Sequence, residues 1–190
     1  TYGKFSINAD GAWTYATNDA VNQLNAGQKV TETFNVTTTD GGTAQVTIDI
    51  TGTNDVATLT SESKELTESN VVLSTSGTLV LSDLDATDAT VTVQTDTAGT
   101  YGTFSIGANG AWTYVTTDAL NQLNASQVVT EVFNVATSDG GSATVTINIT
   151  GSNDVATLTS QTKALTESDA QLSTSGTLVL ADLDATDATV

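Results

Sequence analysis

The residues of this 190-residue chain with the types and spacing to do chemistry are aspartates. Asp83, Asp85 and Asp88 fall within six residues, directly after an apolar run, and Asp182, Asp184 and Asp187 repeat the arrangement. Two carboxylates held about 4 Å apart repel by roughly 4 kcal/mol at an effective dielectric constant of about 20, so clustering them is costly unless a cation lies between them. The chain has few cations of its own, with 4 Lys, no Arg and no His against 22 acidic residues, for a formal charge of −18. Two readings follow. One is a solvated acidic turn that keeps the protein soluble; the other is a site for Ca2+, a hard ion that takes about six to eight oxygen ligands from Asp, Glu, Asn and backbone carbonyls. The spacing is not that of an EF-hand: counting from Asp83, the fifth position is Thr87, the sixth is Asp88 where Gly is needed, and the twelfth is Gln94 rather than Glu.

Composition excludes most other chemistry. Cys, Met, His and Pro are absent, which removes thiol and imidazole nucleophiles and bases, Cys/His zinc sites and a disulfide framework. Without Arg and with only 4 Lys, the chain would repel nucleic acid, whose binding rests on neutralising phosphates, and it would repel an anionic membrane surface for the same reason. No apolar run approaches the roughly 20 residues that span a bilayer, so membrane insertion is not expected. Carboxylates alone can hydrolyse glycosides, but nothing pairs two of them across an aromatic cleft, and an enzyme is not expected. No signal-peptide pattern opens the chain, which reads as an internal piece of something longer.

The elements that must position these carboxylates are strands. About a fifth of the residues are Thr, with many Val, Ala, Asp and Gly, a composition that favours β-structure and turns. A repeat of period 99 runs through the chain: Tyr2-Gly3-Lys4-Phe5-Ser6-Ile7 returns as Tyr101-Gly102-Thr103-Phe104-Ser105-Ile106, Trp13 returns as Trp112, and residues 51–60 return as 150–159. Such a period is too long for a solenoid and implies a domain with its own core per unit. The expected organisation is one complete unit at 56–154, preceded by the C-terminal part of a unit (1–55) and followed by the N-terminal part of another (155–190). Alternation predicts strands near 57–60, 63–67, 77–82, 90–95, 101–106, 111–115, 129–138 and 143–151, and a hairpin of Val30–Asp40 with Thr43–Gly52. The spacing of Leu120 and Leu123 behind Asp118 predicts a short helical turn over 117–123. The fold class is therefore all-β, with tandem antiparallel β-sandwiches of cadherin or immunoglobulin type. Trp13 with Tyr15, and Trp112 with Tyr114, invite a sugar-stacking reading, yet a spacing of two places each pair on one strand face and favours the core. Glu32 and Glu131 share a face with Phe34 and Phe133, so each needs a cation or a backbone donor at the rim of the sandwich.

The order Leu-Thr-Glu (66–68), Gly-Thr-Leu (77–79), Asp-Leu-Asp (83–85), Tyr-Gly-Thr-Phe-Ser-Ile (101–106), Asn-Gly-Ala-Trp-Thr-Tyr (109–114), Phe-Asn-Val (133–135), Ser-Asp-Gly-Gly (138–141) and Ile-Thr-Gly-Ser-Asn-Asp (149–154) resembles the VCBS repeat. This is a cadherin-like domain found in tandem in very large secreted bacterial proteins, many of them RTX adhesins. One departure is that such repeats commonly continue from Asn-Asp into Ala-Pro, whereas Asp55 and Asp154 are followed by Val-Ala, so the proline that would stiffen the junction is absent. The resemblance implies Ca2+ between successive domains, held at the first junction by Asn54, Asp55, Asp83 and Asp85 with Asp88. At the second junction the set is Asn153, Asp154, Asp182, Asp184 and Asp187. Glu68 and Glu167 could contribute or be simple exposed strand carboxylates. The implied function is an extender of a secreted adhesin on a bacterial cell surface, whose partners are adjacent repeats of the same or a neighbouring chain. The alternative is a filament subunit in which copies complete each other's partial domains as a head-to-tail homopolymer.

Overall fold

In a computed structural model of the chain, residues 1–85, 89–184 and 189 are described. Residues 1–55 form β1 (Gly3–Ile7), β2 (Trp13–Thr17), a 3-10 turn (Asp19–Gln23), β3 (Lys29–Thr37) and β4 (Thr43–Thr51). Residues 56–154 carry β5 (Thr58–Leu59), β6 (Glu62–Thr67), β7 (Ser74–Thr78), β8 (Leu81–Ser82), β9 (Gln94–Ala98), β10 (Gly102–Ile106), β11 (Ala111–Thr116), β12 (Val128–Ala136) and β13 (Ser142–Thr150). Beyond them lie β14 (Thr157–Leu158) and β15 (Leu180–Ala181). The all-β class holds.

In residues 56–154 one sheet has the order β7-β11-β10-β9 and the other β12-β13-β6. Alternation drives the packing: along β13, Ala143, Val145, Ile147 and Ile149 are buried, while the intervening residues are exposed or half-buried. Phe104 of β10 stacks on Phe133 of β12 with ring centroids 4.7 Å apart, joining the two sheets across the core. Trp112 and Tyr114 are completely enclosed, as the spacing of two predicts.

Several expectations are corrected. The sandwich is not purely antiparallel, because β6 runs parallel to β13, Ile147 opposite Lys64 and Ile149 opposite Leu66. The predicted strand 77–82 is two strands: β7 pairs with β11, and β8 pairs with β5. The chain crosses between them at buried Leu79 and exposed Val80. The strand expected at 90–95 lies at Gln94–Ala98, with Val91 making an isolated bridge to Thr137. Residues 117–123 form no helix but a single turn, in which the Leu123 N–H donates to the Leu120 carbonyl at 3.0 Å; ahead of it Asp118 accepts the Leu120 N–H at 2.8 Å and buried Leu120 takes φ 58°, outside helical geometry. At 19–23, Asn18 caps a 3-10 turn instead.

Residues 1–55 hold the corresponding hairpins, β1 with β2 and β3 with β4, with Phe5 stacked on Phe34 at 4.6 Å. Among the described residues, β2 and β4 have no second neighbour. In residues 155–184, β14 pairs only with β15.

Candidate functional site

Two groups of aspartates, Asp55 with Asp83 and Asp85 and Asp154 with Asp182 and Asp184, meet at the segments flanking the sandwich. At the first linker, the N–H of half-buried Asp55 donates to Asp85 Oδ2 at 2.8 Å, and the Asp85 N–H reaches Asp83 Oδ1 at 3.2 Å. At the second, the Asp154 N–H donates to Asp184 Oδ2 at 2.7 Å, and the Asp184 N–H reaches Asp182 Oδ1 at 3.3 Å. These contacts follow from the short turn after β8 and β15, in which the first aspartate caps the backbone of the second. That leaves the second aspartate free to bind the linker.

Each site is left with carboxylate oxygens that no described residue satisfies. Among the described residues, Asp83 Oδ2, Asp85 Oδ1, Asp154 Oδ2, Asp182 Oδ2 and Asp184 Oδ1 are buried without a hydrogen-bond partner, and Asp85 and Asp184 are 0% exposed. A buried carboxylate oxygen without a donor is strongly unfavourable, because desolvation is not compensated. At the second linker, partial burial and the neighbouring carboxylates of Glu68, Asp184 and Asp182 hold the Asp154 carboxyl above its ordinary pKa. Glu68 is itself buried, and accepts the Ser152 N–H at 3.1 Å and its hydroxyl at 2.7 Å. An all-oxygen, carboxylate-rich donor set with unpartnered oxygens fits a hard divalent cation. Among the described residues, however, no three acidic side chains close into a ready-made metal cage, as mutual repulsion would dictate for the bare carboxylates.

The other predicted ligands are placed differently. Asn54 and Asn153 are exposed beside the linker aspartates, and Glu167 is exposed on the segment between β14 and β15. Asp88 and Asp187 lie outside the described residues. Glu131 needs no cation: it accepts the Tyr101 N–H at 2.8 Å and the Tyr114 hydroxyl at 2.5 Å. Glu32 is bound in the same way by Tyr2 and Tyr15.

Two residues near the junctions escaped sequence reasoning. Asn124 Oδ1 is buried and has no partner among the described residues, in a loop whose carbonyls lie against Gly151; its recurrence as Asn25 was the available signal. Asp139, in Ser-Asp-Gly-Gly, accepts the Ala57 N–H at 2.6 Å and ties the start of the unit to the turn between β12 and β13.

Residues 56–154 form a two-sheet sandwich with Phe104, Trp112, Tyr114 and Phe133 buried in its core, an all-β domain. The family model of the bacterial cadherin-like domain matches residues 54–151, over half of the chain, and the protein belongs to that family. No curated protein matches the chain.

Proposed function

We propose that the chain is a Ca2+-rigidified extender segment of a large secreted bacterial cell-surface adhesin, built from VCBS-type repeats with one complete unit at 56–154. The observation that carries this reading is the set of buried, unpartnered carboxylate oxygens at both linkers. The bacterial cadherin-like domain is a non-enzymatic type of domain, and the sequence pairs no two carboxylates across a cleft.

Asp55, Asp83 and Asp85 would hold the ion at the first linker, and Glu68, Asp154, Asp182 and Asp184 at the second, with Asn54, Asn153, Asp88 and Asp187 as further oxygen donors. Bound Ca2+ supplies the positive charge that these carboxylates lack. The chain's own part is to fix their positions: Asp85 and Asp184 each hold a linker N–H, and Glu68 holds the Ser152 N–H and hydroxyl. The linker thus has few ways to swing once the remaining oxygens are satisfied. A distal module carried on such a rod stays away from the cell.

Extracellular Ca2+ modules bind with dissociation constants of about 10⁻⁴ to 10⁻³ M, so at roughly 100-fold excess one site adds about 2.7 kcal/mol. Thermal melts in about 10 to 100 mM Ca2+ and in chelator should therefore differ by several degrees; coincident melts would sink the reading. Small-angle scattering should show a longer maximum dimension in Ca2+ than in chelator, and the Asp83→Asn/Asp85→Asn variant should lose part of that gain.

A further inference from the structure

The edge strands of a sheet keep backbone donors and acceptors that no neighbouring strand satisfies. In residues 56–154 the four edges differ. β7 is only five residues long, and β6 carries Glu62, Lys64 and Glu65. β9 is irregular: its register against β10 shifts between Phe104 and Ile106, and Asp96 takes φ 47°. Short strands, charges and irregularities are the devices by which natural sheets discourage further pairing. β12 has none of them. Its nine residues pair with β13 in unbroken register and include no Lys and no Pro.

Part of the β12 edge is already in use. Val91 bridges to Thr137, the Thr92 N–H donates to the Ala136 carbonyl at 2.8 Å, and the Ser138 N–H donates to the Thr90 carbonyl at 2.9 Å. The chain then leaves for the other sheet as β9, and at the next position along the edge a side chain stands in for a strand: Gln94 Nε2 donates to the Asn134 carbonyl at 2.8 Å. In an antiparallel pair the N–H and C=O of one residue point to the same side, and alternate residues share that side. Ala136 and Asn134 therefore fix the direction for Val132 and Thr130, whose N–H and C=O groups face away from β13 and meet no strand among the described residues. This stretch of edge lines a cleft of about 460 Å3, with residues 130–134 on the β12 side and Gln94, Thr97 and Gly99 on the other.

We propose that the free edge at 130–134 binds an extended, non-acidic peptide segment of a partner protein by strand addition. A donor and an acceptor recurring at every second residue, about 7 Å apart, match the backbone of an extended peptide; a sugar or a metal ion has no such period. The segment 90–92 shows the pairing this edge accepts, antiparallel through Val91 and Thr137, and an added strand continues it along β12. The ionisable residue lining the cleft is Glu131, in a chain of formal charge −18, so a segment carrying Lys or Arg is favoured over an acidic one.

The probe is the capped peptide Lys-Thr-Val-Thr-Val-Lys, added at about 1 mM to the 190-residue chain in chelator, so that the outcome is independent of the calcium reading. The readout is amide hydrogen exchange. The Thr130 and Val132 amides should exchange fast in the free chain and at least tenfold more slowly with the peptide, while the Glu131 and Phe133 amides, bonded to β13, are slow in both. The same peptide N-methylated at each Thr and Val keeps its charge but loses its donors, and should slow neither amide. Glu in place of both Lys should reduce the slowing at least threefold. Val132→Pro removes one cleft-facing N–H and no bond to β13, so the main melt should persist while the peptide no longer slows Thr130. The proposal is overturned if the peptide slows neither amide, if both are already slow in the free chain, or if Val132→Pro folds and Thr130 is still slowed. Equal slowing by the N-methylated peptide also overturns it, by assigning the contact to side chains, and equal slowing by the acidic peptide overturns the preference for a non-acidic partner.

Discussion

The backbone N–H of Asp55 donates to Oδ2 of Asp85 at 2.8 Å, while the other oxygen of that fully buried carboxylate has no partner. Asp184 holds Asp154 in the same way. One oxygen of each carboxylate holds the linker, and on the proposed Ca2+ reading the other is a ligand. Asp85→Asn keeps an acceptor for Asp55 but halves the anionic ligand. The variant should fold in chelator like the parent, and the rise in melting temperature on adding Ca2+ should shrink at the first linker. Calorimetry with and without Ca2+ measures both; an undiminished Ca2+ response would show that Asp85 is not a ligand.

A second prediction concerns Glu131, whose carboxylate is buried and held by the Tyr114 hydroxyl and the Tyr101 N–H. Burial and the adjacent Glu131 push the Tyr114 hydroxyl far up from its ordinary pKa, so it remains a donor throughout the accessible range. Removing it strands a buried carboxylate oxygen, at about 1–3 kcal/mol. Tyr114→Phe should lower the main denaturation midpoint accordingly, whereas Tyr15→Phe, in residues 1–55, should leave it unmoved. Equal effects at the two positions would mean that residues 1–55 and 56–154 unfold together.

Face assignment and hairpin register were open to sequence reasoning because both depend on local alternation. Val145, Ile147 and Ile149 declare their side of β13, and Asp-Gly-Gly marks the turn before it. Pairing between distant segments was not open, since nothing in Glu62–Thr67 states that it will run parallel to β13; closure of the sandwich decides that. The Thr90-Val91-Thr92-Val93 alternation misled for a related reason: only Val91 reaches the core, and Val93 is exposed. The real strand, Gln94–Ala98, is a polar edge with no apolar period to announce it. At the linkers, the repeated aspartates marked the site, but the division of each carboxylate into a bonded and an orphaned oxygen required the folded linker.

Acid should weaken the tie between Asp139 and the start of the unit. The Thr137 hydroxyl and then the Ala57 N–H hold the Asp139 carboxyl below its ordinary pKa. A depressed folded-state pKa means that the contribution to stability is complete above the unfolded value and is lost as pH falls through the folded one. Asp139→Asn should therefore be less stable than the parent at neutral pH, and the gap should begin to shrink below about pH 4, the unfolded carboxylate value, and close once pH has fallen through the lowered folded one. A gap independent of pH in denaturant titrations would assign the loss to packing rather than to charge.

Gly141 lies against the backbone that opens the span 56–154. A Cβ at Gly141 would meet the Ala57 carbonyl and the Thr137 hydroxyl well inside van der Waals contact. The backbone at Ala57 would have to move, stretching its bond to Asp139, and overpacking of this kind costs about 1–3 kcal/mol. Gly141→Ala should therefore lower the main melt. At Gly42 the three nearest atoms all belong to the Thr38 side chain, with the hydroxyl closest, so no backbone atom is among them and Gly42→Ala should cost less. Melting curves of the two variants read out the difference. Equal losses would assign the effect to the threonine hydroxyl that the two sites share rather than to the Ala57 carbonyl.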